Sequence, residues 1–476
     1  MARASVSVPL IHFLGGTGTV TGSRFLVDGR RGRVLVDCGL YQGPKALRER
    51  NWAAFPVEPD GIDAVLLTHA HVDHSGYLPA LYRNGFRGKI FATQGSIDLC
   101  RIVLLDCAHL QEEEAAFANR MGYSKHDPAL PLFGVEDAAA VLEQFEAVPF
   151  DQRVEVAEDI SAVFQRAGHI LGSASIALTL GGSEPVRIVF SGDLGRPDHP
   201  LLLPPPPPPV CDALLVESTY GDRDHNDADA VERLVDVICR TTDRGGVVLI
   251  PAFAVDRTEV LLLHLRRLIE SGEIPAVDIY VDSPMALAAL KVYRRAIDEE
   301  WPELRPELRG HPGALEPPGL VEARSVDASK AIHGVSEGAV IISASGMATG
   351  GRILHHLEHR LPNPRNSVVL AGFQAVETRG RRLLSGARHV KMHGHYVPVR
   401  CEIADVSALS VHADRGEIMR WLRSAKQEPD SVFVVHGEAM PAAALCERIE
   451  TELGWNAVVP GHLERIRVTP SWRGAF

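Results

Sequence analysis

The sequence predicts an α/β protein with two domains, and two patterns indicate this. From about residue 225 to 385, apolar runs such as 247–250 and 339–342 alternate with loops and helix-like stretches such as 258–269. This alternation is typical of βαβ units on a parallel sheet. The segments before and after it are richer in strands, and several of their apolar runs end in acidic or histidine side chains.

Composition limits the classes of function. The 476 residues suffice for roughly two to three domains of ~150 residues. The net charge of −12 means that a nucleic-acid partner would have to bind a local basic patch. No apolar run approaches the ~20 residues of a membrane span, and no signal peptide is expected. The seven cysteines are scattered without a CxxC pair, which predicts reduced thiols in the cytoplasm and excludes a cysteine-based zinc site.

The stretch THAHVDHSG at residues 68–76 is the strongest local signal, and it lies between a predicted buried strand and a short predicted helix. Alternate residues of an extended chain point the same way, which places His69, His71 and Asp73 on one side. His74 turns towards them as the helix starts. Imidazole and carboxylate ligands suit zinc, so we interpret the stretch as a metal loop. The alternative is a polar loop with solvated histidines.

Similar side chains stand at the ends of other predicted strands. Five apolar runs end in a residue of the metal-ligand or acid–base type: Asp37, His69, Asp193, Glu217 and His436. Sites in layered α/β proteins collect where strands end and loops begin. The five endings therefore predict a shared cleft.

Other segments are expected to be structural. Six consecutive prolines at residues 204–209 predict a polyproline spacer on the surface. Residues 297–325 are rich in proline and charge and predict a loop excursion. His393 and His395 have a metal-like spacing, but we interpret them as structural. Three histidines of one predicted helix are expected at the surface: His355, His356 and His359.

Six motifs occur in a fixed order along the chain: HAHVDH, GHILGSAS, SGDLG, ESTYGDR, SVHAD and VVHGE. With these motifs, and with PAFAVDRTE, VDSPMA and SASGMATGGR, the chain resembles the metallo-β-lactamase superfamily, specifically its β-CASP branch of nucleases. That branch includes bacterial RNA-degrading members and the cleavage subunit of the eukaryotic polyadenylation factor. HxHxDH alone would mark only the superfamily. Glu377 departs from the pattern, because the family usually has glycine there.

The resemblance implies a four-layer αββα metallo-β-lactamase fold with an inserted parallel-sheet β-CASP domain. Residues 1–217 and 386–476 would form the first domain, and residues 218–385 the inserted one. The cleft between the two domains would hold the active site.

The resemblance also implies two zinc ions. The first would be held by four residues: His69, His71, His169 and Asp193. The second would be held by Asp73, His74, His436 and the bridging Asp193. Asp37 would accept a hydrogen bond from a ligand histidine and set its tautomer. Two zinc ions about 3.5–4 Å apart can share a hydroxide nucleophile and steady the phosphate oxygens.

For the leaving oxygen, the resemblance assigns proton donation to His412, supported by Glu217, and it adds Asp73 to the catalytic residues. A carboxylate beside an imidazole raises the pKa of the ring and holds its orientation, which suits a general acid. Without the resemblance, Glu217 would be an ordinary acid at a strand end and His412 a neighbour of a helix cap.

Two further features fit a polyanionic substrate. The backbone N–H groups of SASGMATGG and the helix after it would form an anion site. The expected phosphate contacts are Ser343, Ser345, Gly346, Thr349 and Arg379. Residues 378–400 contain six cations and no acid: Arg379, Arg381, Arg382, Arg388, Lys391 and Arg400. This basic stripe could hold RNA locally. The alternative for the SASGMATGG loop is a tight βα turn that binds nothing. The alternative for the basic stripe is a solvated helix face.

The expected function is a zinc-dependent ribonuclease. The resemblance implies products with 5′-phosphate and 3′-hydroxyl ends, and His436 favours RNA over DNA because DNA-directed relatives tend to lack a histidine there. Three alternatives stay open: a small-molecule thioester or lactone hydrolase of the same fold, a non-catalytic subunit of an RNA-processing complex, and a DNA-directed nuclease. The residues do not distinguish endonuclease from exonuclease action, and a homodimer stays open.

Overall fold

The computed structural model describes residues 8–225, 228–406 and 409–469. The chain divides into two compact units. Unit 1 comprises Met1–Asp224 and His412–Phe476, and unit 2 comprises His225–Val411. Within the described ranges, none of the helices combines the length and the apolar character needed to cross a membrane.

The elements of both units follow in chain order. The strands are β1 (Leu10–Phe13), β2 (Phe25–Asp28), β3 (Arg33–Val36), β4 (Ala64–Leu66), β5 (Lys89–Ala92), β6 (Phe145–Ala147), β7 (Arg153–Ala157), β8 (Ile160–Arg166), β9 (Ala174–Leu180), β10 (Val186–Phe190), β11 (Ala213–Glu217), β12 (Val247–Pro251), β13 (Asp278–Val281), β14 (Leu320–Glu322), β15 (Ala339–Ser343), β16 (Ser367–Leu370), β17 (His389–Met392), β18 (His395–Pro398), β19 (Glu402–Asp405), β20 (Ser431–Val435), β21 (Ala457–Val458) and β22 (Arg465–Arg467). The helices are α1 (Lys45–Glu49), α2 (Val72–Ser75), α3 (Leu78–Arg83), α4 (Gln94–Met121), α5 (Val135–Leu142), α6 (Ala228–Asp243), α7 (Arg257–Glu270), α8 (Pro284–Asp298), α9 (Val326–Ala331), α10 (Ile353–Arg360), α11 (Arg379–Leu384), α12 (Arg415–Arg423) and α13 (Ala439–Leu453).

Unit 1 is built on two sheets, in the orders β22-β1-β2-β3-β4-β5-β6 and β21-β20-β11-β10-β9-β8-β7. Their inner faces share one apolar core. In it the ring of Phe13 lies 5.4 Å from that of Phe433, and the ring of Phe25 lies 6.0 Å from that of Phe190. Helices α12 and α13 cover the outer face of the second sheet, and α4 packs beside β6 of the first. The layers are the four-layer αββα arrangement that the resemblance implied.

Unit 2 contains a six-stranded sheet in the order β14-β13-β15-β12-β16-β19. Every neighbouring pair in this sheet is parallel. The predicted alternation of strands and helices is therefore confirmed as a parallel α/β sheet. Buried residues of α10, α11 and the β17–β18 hairpin join the core on one side of it.

The boundaries of unit 2 differ from the expected 218–385. Its sheet continues past residue 385, because β19 pairs in parallel with β16, and Val390, Met392 and Val397 of the hairpin lie in its core. The return to unit 1 therefore comes at His412. At the other end, Ser218 still belongs to unit 1, where its N–H donates to the carbonyl of His436.

Three local expectations need correction. The proline run 204–209 is not a free surface spacer, because its Pro206 carbonyl accepts a hydrogen bond from the indole of Trp421 and most of its residues are partly buried. The excursion at 297–325 is not loop throughout, since it contributes β14 to the sheet. His356 is not a surface residue: it is fully buried, and its Nε2 lies 2.7 Å from Asp282 Oδ2.

Glu259 of α7 gives unit 2 a testable dependence on pH. It is fully buried, and neither carboxylate oxygen has a hydrogen-bond partner among the described residues. Burial, reinforced by Asp256, raises the pKa of Glu259 well above its usual value. The folded state therefore holds this proton more tightly, and stability falls as pH rises above the unfolded pKa of about 4.3. We expect Glu259→Gln to melt about 2–8 °C above wild type at neutral pH.

Melting curves recorded by circular dichroism from acid to neutral pH would check this. The gain in melting temperature should shrink as the pH is lowered towards the unfolded pKa of about 4.3, because the glutamate and the glutamine are then both neutral. The exposed Glu307→Gln serves as the control and should follow wild type. A Glu259→Gln gain that does not change with pH would contradict the assignment.

Candidate metal centre and acid–base pair

The end of β3 positions the histidine-rich loop that follows β4. Because β4 is fully buried, the chain beyond it delivers His69 into the interior. The Cys38 N–H donates to the carbonyl of His74 at 2.7 Å. A Cβ added to Gly39 would lie 1.6 Å from the carbonyl oxygen of Asp73, so only glycine permits this approach. The loop is therefore held by the backbone that follows β3, and the Ser75 hydroxyl, which donates to the Ala70 and His71 carbonyls, adds hydrogen bonds within it.

The first group of ligand-type atoms comes from three separate stretches of unit 1: His69, His71, His169 and Asp193. Nδ1 of His71 lies 3.1 Å from Nε2 of His69 and 3.2 Å from Nε2 of His169. Oδ2 of Asp193 lies 3.5 and 3.6 Å from the same two Nε2 atoms. Nitrogen ligands about 2.0–2.1 Å from a tetrahedral zinc ion are separated by about 3.3 Å. The observed spacing therefore fits one zinc ion.

A second group lies on the other side of Asp193 and contains Asp73, His74 and His436. Nε2 of His74 lies 3.1 Å from Nε2 of His436 and 3.3 Å from Oδ1 of Asp193. Oδ2 of Asp73 lies 3.5 Å from Nε2 of His436. The Asp193 Oδ1 atom is buried and also lies 3.2 Å from Nδ1 of His436, so this charged oxygen is turned towards the second group. Asp193 thus offers one oxygen to each group, as a bridging carboxylate would.

Asp37 holds one of these histidines in orientation. Its Oδ2 lies 2.7 Å from Nδ1 of His74, and its Oδ1 accepts the Thr68 N–H at 2.8 Å. The backbone of Asp37 is left-handed, with φ 59°, which turns the carboxylate under the loop. Because Nδ1 of His74 is engaged by the carboxylate, Nε2 is left to face the second group.

The protonation states of the first group suit cation binding. Burial and the neighbouring imidazoles hold the pKa of His69 and of His169 well below the usual value, so both rings are neutral. Burial also opposes the charge of His74, but Asp193 and Asp37 outweigh it and place the pKa of His74 well above its usual value. Burial would raise the pKa of Asp193, yet the imidazoles around it hold that pKa well below its usual range. Neutral His69 and His169 beside the ionised Asp193 form a donor set for divalent zinc, whereas His74 is protonated without a cation and would release its Nε2 proton on binding one.

His412 and Glu217 form a pair next to the first group. Nδ1 of His412 lies 3.3 Å from Oε2 of Glu217 and 3.9 Å from Oδ2 of Asp193. Glu217 is fully buried at the end of β11, where its Oε1 accepts the Leu194 N–H. The His412 side chain keeps 17% of its surface exposed. Burial opposes the charge on His412, but Glu217 and then Asp193 raise its pKa above the usual value.

The predicted anion loop lies in unit 2, and its members differ in availability. Ser343 is fully buried and its hydroxyl donates to the carbonyl of Asp282, so it does not face solvent. Gly346 is also buried, against the ring of Phe253. Two members lie at the surface side of the loop, where the hydroxyls of Ser345 and Thr349 are 2.9 Å apart.

Arg379 joins this loop to the hairpin of unit 2. Its Nη1 donates to the Thr349 carbonyl at 2.9 Å, and its Nε donates to the Lys391 carbonyl at 2.8 Å. The family's preference for glycine at position 377 has a physical reason, because Glu377 has a φ of 66°.

Five cations of the predicted stripe are exposed and have no carboxylate partner among the described residues: Arg381, Arg382, Arg388, Lys391 and Arg400.

Two hydroxyl residues of the centre are not indicated by the sequence patterns above. The Thr68 hydroxyl donates to Asp37 and lies 3.1 Å from Nδ1 of His69. The Thr219 hydroxyl lies 3.3 Å from Nδ1 of His436. Both threonines stand within two residues of a strand-end ligand or acid, which is the signal that could have found them.

Comparison with protein families matches three parts of the chain. The Metallo-beta-lactamase superfamily matches residues 17–86, the Beta-Casp domain matches residues 258–383, and the Zn-dependent metallo-hydrolase RNA specificity domain matches residues 396–460. The first match contains the histidine-rich loop, and the last contains His412 and His436.

Curated relatives match over most of their length. Ribonuclease TTHA0252 of Thermus thermophilus is 36% identical over 432 residues, which are 90% of this chain and 94% of the relative. The RNase J-like protein of Methanocaldococcus jannaschii is 30% identical over 95% of this chain and 98% of its own. Transcription termination factor FttA of Pyrococcus abyssi is 32% identical over 96% of this chain and 70% of its own.

A solved structure with only 13% identity has the same fold. It is a protein of unknown function from Enterococcus faecalis V583, with a TM-score of 0.52 over 97% of this chain and 100% of the other. The family matches, the relatives and the motifs agree with one another. The chain therefore belongs to the β-CASP family of metal-dependent hydrolases in the metallo-β-lactamase superfamily.

Proposed function

We propose that this protein is a zinc-dependent ribonuclease that hydrolyses the phosphodiester bonds of RNA. The observation that carries the proposal is the sharing of the buried Asp193 carboxylate by two groups of ligand-type atoms, with the His412–Glu217 pair beside it. The names of the relatives, Ribonuclease TTHA0252 and RNase J-like protein, support RNA as the substrate. We place the enzyme in the cytoplasm, which its seven unpaired cysteines support.

The proposed ligands divide into two sets that meet at Asp193. One zinc ion would be held by His69, His71, His169 and Asp193, and the other by Asp73, His74, His436 and Asp193. When bound, zinc ions supply Lewis acidity towards phosphate oxygens and activation of water at neutral pH.

His412 is proposed to give a proton to the oxygen that leaves. Its Nδ1 faces Glu217, which fixes the ring and keeps the proton of Nδ1 in place. Nε2 then carries the proton that can be transferred, and the partial exposure of the ring gives that atom access to substrate. The buried carboxylate of Glu217 stabilises the protonated ring before transfer.

Unit 2 is proposed to bind the RNA backbone. The exposed cations of the basic stripe have no carboxylate partners among the described residues, so they can neutralise phosphates without first breaking ion pairs. The hydroxyls of Ser345 and Thr349, with the Arg379 guanidinium, remain the proposed phosphate contacts of the loop. A small-molecule thioester or lactone hydrolase would need neither feature.

Asp37→Asn tests how His74 is held. Asparagine tolerates the left-handed backbone of residue 37 but replaces the ionised acceptor of His74 with a neutral amide. We expect zinc affinity to fall about 10–100-fold, as measured by competition with a chromogenic chelator.

The matched control is Asp151→Asn, because Asp151 has the same φ of 59° but is an exposed turn residue. Its zinc affinity should equal that of wild type. An unchanged affinity in Asp37→Asn, with both variants folded by circular dichroism, would show that the carboxylate does not position the ligand.

His412→Ala tests the proton donor. Loss of a general acid should reduce the rate of RNA cleavage about 10²–10⁴-fold while the zinc content stays at the wild-type value. Cleavage of end-labelled RNA under single-turnover conditions measures the rate, and matched DNA in the same assay tests the DNA-directed alternative. His109→Ala, an exposed change on α4, is the control. Cleavage by His412→Ala at the wild-type rate would refute the role.

The triple variant Arg381→Ala, Arg382→Ala, Lys391→Ala tests the basic stripe. The logarithm of the RNA association constant falls linearly with the logarithm of the salt concentration. Each lost contact to single-stranded RNA should make this slope less steep by about 0.7. Fluorescence anisotropy with labelled single-stranded RNA at several salt concentrations gives this slope.

The control removes three exposed cations of unit 2 outside the stripe, namely Arg267, Lys291 and Lys330. Equal slopes for the two triple variants would mean that binding depends on total charge and not on the stripe.

A further inference from the structure

A second cluster of metal-ligand side chains lies in unit 2, and none of its members belongs to the ligand groups of unit 1. His355 and Glu358 come from α10, one helical turn apart and therefore on the same face. His393 and His395 come from the tip of the β17–β18 hairpin. The ligand-type atoms of His355, Glu358 and His393 all lie within 4.8 Å of one another.

Glu358 is the centre of this cluster. Its Oε2 lies 2.7 Å from Nδ1 of His393, and its Oε1 lies 2.9 Å from Nε2 of His395. The rings of His355 and His393 stack with their centroids 4.6 Å apart. The side chains of His393, Glu358 and His395 keep 37%, 33% and 54% of their surface exposed, so an ion from solvent can reach them.

The backbone of the hairpin tip gives an independent reason to expect a function. His393 and Gly394 form a two-residue turn between the paired Met392 and His395, with φ values of 44° and 87°. Such a turn favours Asn-Gly, because both residues need positive φ. Histidine at the first position is conformationally unfavourable, and strain of this kind is commonly kept where a side chain has a task.

We propose that His355, Glu358, His393 and His395 form a binding site for a divalent transition-metal ion of the zinc class, separate from the catalytic centre. Three imidazoles and one carboxylate are borderline ligands that suit zinc and exclude calcium or magnesium as the preferred ion. The residues come from two elements distant in sequence, so a bound ion would fasten the hairpin to α10. The same hairpin supplies the Lys391 carbonyl that accepts the Arg379 Nε, so the ion would also steady the arginine at the anion loop.

The test measures zinc binding by the full-length protein. Equilibrium dialysis against Zn²⁺ is expected to give one zinc ion fewer per chain for His393→Asn than for wild type. Asparagine accepts positive φ, so this variant keeps the turn. Glu358→Gln should show the same loss, and the exposed His311→Asn should bind as much zinc as wild type. Because the readout is the difference in bound zinc per chain between each variant and wild type, it does not depend on how many ions the catalytic centre holds.

A second readout locates the ion. Diethylpyrocarbonate modifies free imidazoles, and peptide mapping by mass spectrometry should show that Zn²⁺ protects His355 and His393 in wild type. The same protection should persist when His69 of the catalytic centre is replaced by alanine, which separates this site from the proposed function. Equal zinc binding by wild type and His393→Asn, or modification of His393 that Zn²⁺ does not reduce, would overturn the proposal.

Discussion

The buried carboxylate of Asp193 is the constraint on which the rest of unit 1 depends. It lies among imidazoles from the histidine-rich loop, from His169 and from His436, and its pKa is held well below the usual range. The neighbouring rings of His69 and His169 are neutral, and their Nε2 atoms lie only 3.1–3.2 Å from Nδ1 of His71, so several ligand-type atoms crowd towards one point. Divalent cations are the partners that complete such an arrangement.

The two sheets of unit 1 make this constraint attainable. Their shared apolar core fixes the strands, and five strand ends deliver a ligand or a supporting residue, namely those of β3, β4, β10, β11 and β20. Left-handed backbone at Asp37 and His436 turns the chain sharply where strand geometry would carry the side chains away. Around the ligands, Asp37, Thr68 and Thr219 contact the second ring nitrogen of His74, His69 and His436 respectively, which helps to set the orientation of these three rings. These three rings and their supports are buried.

Chemistry and charge are divided between the units. Unit 1 carries the ligand groups and the His412–Glu217 pair, whereas unit 2 carries an exposed run of cations in a chain whose net charge is −12. Polyanion binding by an acidic protein requires such local concentration of positive charge. A metal ion bound by the proposed histidine cluster on α10 and the hairpin would stiffen the element that bears part of that charge.

The sequence by itself determined the local features. HAHVDH indicated a metal loop, because four ligand-type residues within six positions have few other uses. The alternation of strands and helices indicated the parallel sheet of unit 2, because the spacing of apolar residues within each element follows from local backbone geometry. Only the tertiary structure decided what depends on distant contacts. It brought His169, Asp193 and His436 to one point, extended unit 2 to Val411 through the pairing of β19 with β16, and buried His356 and Ser343 against Asp282. The hydrophobic pattern indicates which residues can be buried. The residues that they contact depend on the packing of segments far apart in the chain.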